Sequence, residues 1–271
     1  MTKEELIQAF EDKIKEYQQD IVELSEDKKL ETLADVRARV KSKPQAIKYK
    51  TGHRVIDYKM GGFSEGSFIN VAGVNFSGKT TLVLDIIQNI SNHNRAVFFS
   101  FEMYENLLIS NKLVDSSIDN NLVIVQDKYD LLQIEAIIRN EAEKGVKFFA
   151  IDSMMKIKTN VKQQDYQKVS TISSTLARLT QELGIIILLI NQMALTDIRE
   201  KRLEFKGSGD VSYDSDVSLF ITVDDDENRT LHCKKDRINE RTWTEDITDR
   251  KFKDQQPVVV EYRTEVDMPL L

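Results

Sequence analysis

Residues Gly73-Val-Asn-Phe-Ser-Gly78-Lys79-Thr80 satisfy the pattern G-x-x-x-x-G-K-[ST]. The apolar run from Ser67 to Ala72 ahead of them reads as a strand. Thr81-Leu-Val-Leu-Asp-Ile-Ile behind them reads as a helix. A strand, a glycine-containing turn and a helix start, in that order, make a phosphate-binding loop. The glycines let backbone N–H groups close around phosphate oxygens, and the helix adds the positive end of its dipole. Gly73, Asn75, Phe76, Ser77, Gly78, Lys79, Thr80 and Thr81 are therefore the expected nucleotide-binding residues. Lys79 is expected at the β- and γ-phosphates of ATP, and the Thr80 hydroxyl at Mg²⁺.

The rest of the chain supplies more strands and helices of the kind this loop needs. Expected strands are 67–72, 95–101, 122–126, 147–152, 185–191 and 217–223, and expected helices are 79–90, 103–116, 130–144 and 163–183. This alternation predicts an α/β fold with a mostly parallel central sheet. The near-continuous apolar runs Lys147-Phe-Phe-Ala-Ile151 and Ile185-Ile-Ile-Leu-Leu-Ile190 fit strands buried on both faces. Short β segments around Arg229–Trp243 suggest antiparallel hairpins at one sheet edge.

Residues 3–42 hold no Gly or Pro, and Leu6, Phe10, Ile14, Tyr17, Ile21 and Leu24 make one helical stripe. Ser25 with Glu26 and Asp27 marks the start of a second helix carrying Leu30, Leu33, Val36 or Arg37, and Val40. Pro44 and the polar stretch to Lys50 read as a linker. The expected organisation is an N-terminal helical segment and linker, 1–50, followed by one large domain, 51–271.

Charge and composition exclude several classes. The formal net charge of -7 argues against a globally basic nucleic-acid coat. A single cysteine, Cys233, leaves no intramolecular disulfide or cysteine-based zinc site and fits a reducing compartment. His53, His93 and His232 are scattered without metal-ligand spacing. No apolar run reaches the roughly 18 residues of a membrane span, and the charged N-terminus is unlike a signal peptide. The expectation is a soluble cytoplasmic protein.

In sheets of this kind, ligands sit beyond the carboxyl ends of the strands. Asp152 ends the run Phe148–Ile151 and is a candidate Mg²⁺-organising carboxylate. Glu102 follows Val97–Phe101, where a carboxylate can polarise an attacking water. Gln192 follows Ile185–Ile190, where an uncharged amide can sense a γ-phosphate through a hydrogen bond.

Ser100-Phe-Glu102-Met103, Ile151-Asp152, Asn191-Gln192-Met193, Ser208-Gly209…Asp214-Ser-Asp216 and Lys235-Asp-Arg237 occur in the order of the motifs of one family. Over residues 51 to 253 the chain resembles the DnaB-like replicative helicases. The lead-in segment Thr51-Gly52-His-Arg-Val-Ile-Asp57 with Gly61-Gly62 is similar too. The resemblance implies a RecA-like P-loop NTPase core. It implies that Glu102 is the catalytic base and Gln192 the γ-phosphate sensor. Arg237, with Lys235 beside it, matches an arginine finger that reaches the neighbouring subunit's ATP. The implied assembly is a homo-oligomer, a hexameric ring on single-stranded DNA, with a primase, loader or other replication partner. Ser153 and Met155 stand where the family has Tyr and Gln, Asn191 where it has Ser, and Val74-Asn75 where it has Arg-Pro.

Two polar loops are candidates for the DNA path. One carries Lys158, and the other carries Arg199, Lys201, Arg202, Lys206 and Gly209. Between Lys147 and Lys206 there are ten Lys and Arg against six Asp and Glu. Such loops can hold single-strand phosphates with little base preference. Lys206 and Gly209 align with the family's DNA-contacting loop. The expected function is an ATP-dependent DNA helicase or translocase acting in replication. A core-only RecA-like recombination or annealing ATPase is the alternative, and the cellular setting is a bacterial or phage-infected host cytoplasm.

Overall fold

The computed structural model describes residues 32–42, 47–113, 116–159, 165–193, 203–205 and 210–248. The chain divides into two units, Met1–Gln45 and Ala46–Leu271. In the first, helix α1 (Leu33–Ser42) opens on a reciprocal cap. Thr32 N donates to Asp35 Oδ2 at 2.9 Å, and Asp35 N donates to Thr32 Oγ1 at 3.3 Å. Two otherwise orphaned donors are satisfied in this way. The expected stripe Leu6–Leu24 and the start at Ser25 lie outside the described residues.

In the second unit the stretch read as linker already forms structure. Strand β1 (Lys48–Tyr49) pairs antiparallel with β2 (Phe63–Ser64) around helix α2 (Arg54–Met60). The Asp57 carboxylate accepts from Thr51 N, Thr51 Oγ1 and Gly52 N, which folds the lead-in segment back onto the start of α2.

The main sheet holds β3 (Phe68–Gly73), β4 (Ala96–Ser100), β5 (Leu122–Val125), β6 (Phe148–Asp152), β7 (Ile186–Ile190), β8 (Val217–Val223), β9 (Arg229–Asp236) and β10 (Trp243–Asp246). Their order is β10-β9-β8-β3-β7-β6-β4-β5. The six strands from β8 to β5 are parallel, and β9 and β10 add antiparallel at one edge. The expected mostly parallel sheet and its antiparallel edge are both present. The intervening helices are α3 (Lys79–Ser91), α4 (Glu105–Asn111), α5 (Leu131–Glu143), α6 (Asp165–Leu183) and α7 (Asp210–Asp214).

Successive side chains of a strand point to opposite faces, so the apolar runs feed two cores. Ile69 and Val71 of β3 pack with Val83, Ile86 and Ile87 of α3 on one face. Phe68 and Ala72 pack with Ile172, Leu176 and Leu179 of α6 on the other, where Ile134 and Ile138 of α5 also lie. Each fully buried Phe, Ile or Leu stabilises the fold by about 1.5–3 kcal/mol. Helix α4 is shorter than the expected 103–116. Lys112 N and Leu113 N both donate to Leu108 O, which closes the helix at Asn111.

Candidate nucleotide and metal site

The loop after β3 is shaped by two glycines. A Cβ on Gly73 would stand 2.6 Å from both Ile221 O and Ser77 Oγ, so only glycine lets β3 and β8 close here. Gly78 has φ +99° and caps α3, the left-handed conformation that turns backbone N–H groups inward. Phe76, also at positive φ, projects to solvent. Lys79 Nζ donates to Gly73 O at 3.1 Å and Val74 O at 2.7 Å, which folds the ammonium over the loop. Burial pulls its pKa below the usual lysine range, against the opposing pull of the Asp152 and Glu102 carboxylates.

Asp152 is the last residue of β6 and only 2% exposed. Its Oδ2 accepts from Thr80 Oγ1 at 2.7 Å, which brings the two expected metal ligands together. Its Oδ1 is buried without a hydrogen-bond partner among the described residues. Burial pushes the carboxyl up to about 6, with Glu102 reinforcing the shift and the Thr80 hydrogen bond and Lys79 opposing it. A hydroxyl and a partly unsatisfied carboxylate make a hard oxygen donor set that suits Mg²⁺.

Strand β4 lies beside β6 with Ser100 opposite Asp152. Phe101 N donates to Asp152 O at 2.8 Å, so Glu102 leaves the sheet just above the Asp152 carboxylate. Ser153 Oγ donates to Glu102 Oε1 and orients it. The Asp152–Ser153 peptide is cis. Gln192 follows β7, whose Ile190 pairs with Val71, so it lies level with Gly73 at the mouth of the loop.

Lys235 and Arg237 are not part of this cluster. Asp236 pairs with Val217, and Val217 pairs with Ile69, whereas the loop begins at Gly73. Four residues at roughly 3.3 Å each place the two cations about 13 Å back along β3. They sit at the amino end of the parallel strands, one strand beyond β8. Lys235 Nζ donates to Ser212 O and Tyr213 O of α7 at 2.6 and 3.0 Å. Arg237 donates to Asp216 Oδ1 at 3.0 Å and to Tyr213 O at 3.1 Å.

Two further cations border the loop and escaped the sequence reading. Lys112 Nζ donates to Thr81 Oγ1 at 3.3 Å. Arg229 Nε lies 3.9 Å from the position of a Cβ on Gly78, buried and without a hydrogen-bond partner among the described residues. Neither belongs to a motif, and both reach the loop through tertiary packing that no local pattern records.

Of the candidate DNA contacts, only Lys158 is described. It is exposed, with Nζ 5.8 Å from the centre of the Tyr129 ring. Arg199, Lys201, Arg202, Lys206 and Gly209 lie outside the described residues. Met193 and Phe205 form an isolated antiparallel bridge. Phe205 is buried against Phe220 with ring centres 4.7 Å apart, so it is not available to stack on bases. Among the described residues no group of three or more His, Cys, Asp or Glu could hold a metal ion, and no helix is long and apolar enough to cross a membrane.

The fold matches known structures. One solved ATPase domain superposes with a TM-score of 0.66 at 19% identity, covering 84% of this chain and 97% of that one. A DnaB-like replicative helicase, solved in a study of its interactions with primase, gives 0.66 at 19% identity, covering 94% of this chain and 74% of that one. At this identity the likeness shows the fold, a RecA-like ATPase core. The replicative DNA helicase DnaB of Rickettsia prowazekii is 24% identical over 70% of this chain and 49% of its own. The chain spans about half the length of the curated relatives it matches. The family model of the DnaB-like helicase C-terminal domain matches residues 49–121 and 112–252. With that match laid over the loop, the carboxylates and the distant pair of cations, the chain belongs to the family of the DnaB-like helicase C-terminal domain.

Proposed function

We propose that this chain is the ATP-hydrolysing motor of a DnaB-type replicative helicase, working in a ring, a hexamer by family analogy, around single-stranded DNA. One observation carries the reading. Lys79, Thr80, Asp152, Glu102 and Gln192 converge at the carboxyl end of the sheet, while Lys235 and Arg237 stand at the other end. A subunit thus holds most of a hydrolytic site and offers the missing cations to a different one.

In this reading Lys79 and the loop amides hold the β- and γ-phosphates. Mg²⁺, held by Thr80 and through water by Asp152, would neutralise developing charge on the phosphates. Glu102, oriented by Ser153, takes the proton of the attacking water. Gln192 contacts the γ-phosphate. Arg237 of one subunit, with Lys235, stabilises the transferring phosphoryl group bound to the next, a contribution on the order of 10³–10⁵ in rate. The loops with Lys158, Lys201 and Lys206 hold the DNA strand, and a primase or loader is the natural partner for such a ring.

The test is complementation between two dead variants. Lys79→Ala should lose nucleotide binding and turnover. Arg237→Ala should bind ATP yet not hydrolyse it. Mixing the two should restore turnover at sites where an intact loop meets an intact finger. A mixture as inactive as its parts, or an Arg237→Ala protein with ordinary turnover, sinks the reading.

A further inference from the structure

Asn70, Asn191 and Ser215 are fully buried polar residues on a face otherwise lined by Phe68, Ala72, Ile187 and Leu189. They form one continuous chain. Asn191 Nδ2 donates to Asn70 Oδ1 at 3.0 Å, and Asn70 Nδ2 donates to Ser215 Oγ at 2.8 Å. Ser215 Oγ donates to Val211 O within the α7 segment. All three donors point the same way.

The two ends of this chain are what matter. Asn191 immediately precedes Gln192, and its N–H donates to Val71 O at 2.8 Å at the catalytic end of β3. Ser215 immediately precedes Asp216 at the opposite end. Asp216 Oδ2 accepts from Phe68 N at 3.0 Å, and its Oδ1 accepts from Arg237 Nη1 at 3.0 Å. The carbonyls of Ser212 and Tyr213 in the same segment hold Lys235 and Arg237. The polar chain therefore runs diagonally across β7 and β3 to the start of β8. It joins the residue beside the γ-phosphate sensor to the residues that hold the finger.

Stability alone does not call for this arrangement. Replacing a buried hydrogen-bonded set by apolar groups of the same shape is often close to neutral. Hydrogen bonds are directional, however, and apolar contacts are not. A displacement of Asn191 must be followed by Asn70 and Ser215 or leave buried polar groups unpaired.

We propose that Asn191, Asn70 and Ser215 are positioning residues, a relay that carries the state of a subunit's own nucleotide site to the finger it presents to its neighbour. The proposal rests on the roles given above to Gln192 and Arg237. A subunit holding ATP would then set Arg237 differently from one holding ADP, which links successive sites around a ring.

Hydrogen–deuterium exchange on the full chain, with Mg²⁺ and either a non-hydrolysable ATP analogue or ADP, tests it. The wild type should show severalfold different exchange across residues 210–216 between the two nucleotides. The apolar triple variant Asn70→Val, Asn191→Ala, Ser215→Ala should lose that difference, while residues 73–81 stay equally protected by nucleotide. Ser215→Ala alone, which removes the link from Asn70 and the link to Val211 but leaves the Asn191–Asn70 pair, should show the same loss and guards against a folding defect in the triple variant. The relay is overturned if the variants keep the difference, or if the wild type shows none there while 73–81 are protected. Absent protection at 73–81 in the wild type overturns the nucleotide-site reading and the relay with it, a failure visible in a different segment.

Discussion

At the residue scale, the site turns on what surrounds two carboxylates. Glu102 is exposed and needs a partner to aim it, and Ser153 is that partner. Ser153→Ala should leave nucleotide affinity unchanged and lower kcat by about tenfold, a fraction of what a general base contributes. Equal turnover in single-turnover assays would show that Glu102 is aimed by something else. Asp152 is the opposite case, buried, with its carboxyl pushed up to about 6. A folded-state pKa above the unfolded value means that the associated stability is present at low pH and lost as pH rises through about 6. Asp152→Asn removes the charge that burial disfavours. Without nucleotide or Mg²⁺, the variant should melt above the wild type at pH 8 and converge with it below pH ~4. A gap independent of pH would contradict the burial argument. Asp152 was legible in the sequence because an acid after four apolar residues marks a strand's end. The hydroxyl of Ser153 looked only like a substituted family position, since its partner lies 51 residues away.

At the element scale, the runs that become central strands were easy to read, and their order was not. Phe148–Ile151 and Ile186–Ile190 are apolar throughout because both faces are covered, and that leaves an unmistakable run. The placement of β3 between β7 and β8 depends on non-local pairing, which no local pattern encodes. Helix ends follow local chemistry. Asp130 caps α5, its carboxylate accepting from Leu132 N at 2.9 Å. Asp130→Ala should cost about 1 kcal/mol of stability, the usual cost of losing an N-cap. A urea midpoint unchanged from the wild type would show that the cap contributes nothing. Asn70 shows why some features stay hidden. A lone polar residue inside Phe68–Gly73 looks like an interruption, and its meaning appears only when Asn191 and Ser215 meet it.

At the scale of the whole molecule, the antiparallel edge decides where Lys235 and Arg237 stand relative to the loop. Strand β9 runs against β8, so its carboxyl end returns Lys235 and Arg237 to the amino end of β3, away from Gly73. The family resemblance implies a finger at Arg237, and the register of β9 on β8 holds that side chain on α7 and Asp216, away from its own loop. Were the sites independent, turnover per subunit would not vary with protein concentration. If each site is completed by a neighbour, turnover per subunit should rise as dilute subunits assemble and then level off. Arg237→Ala should stay flat and low at every concentration, whether or not it assembles. Measuring ATP hydrolysis per subunit across a dilution series, with light scattering on the same samples, separates these cases. A wild-type rate that holds constant down to the monomer would mean that one chain carries a whole site, and that Arg237 serves only to anchor the edge of the sheet.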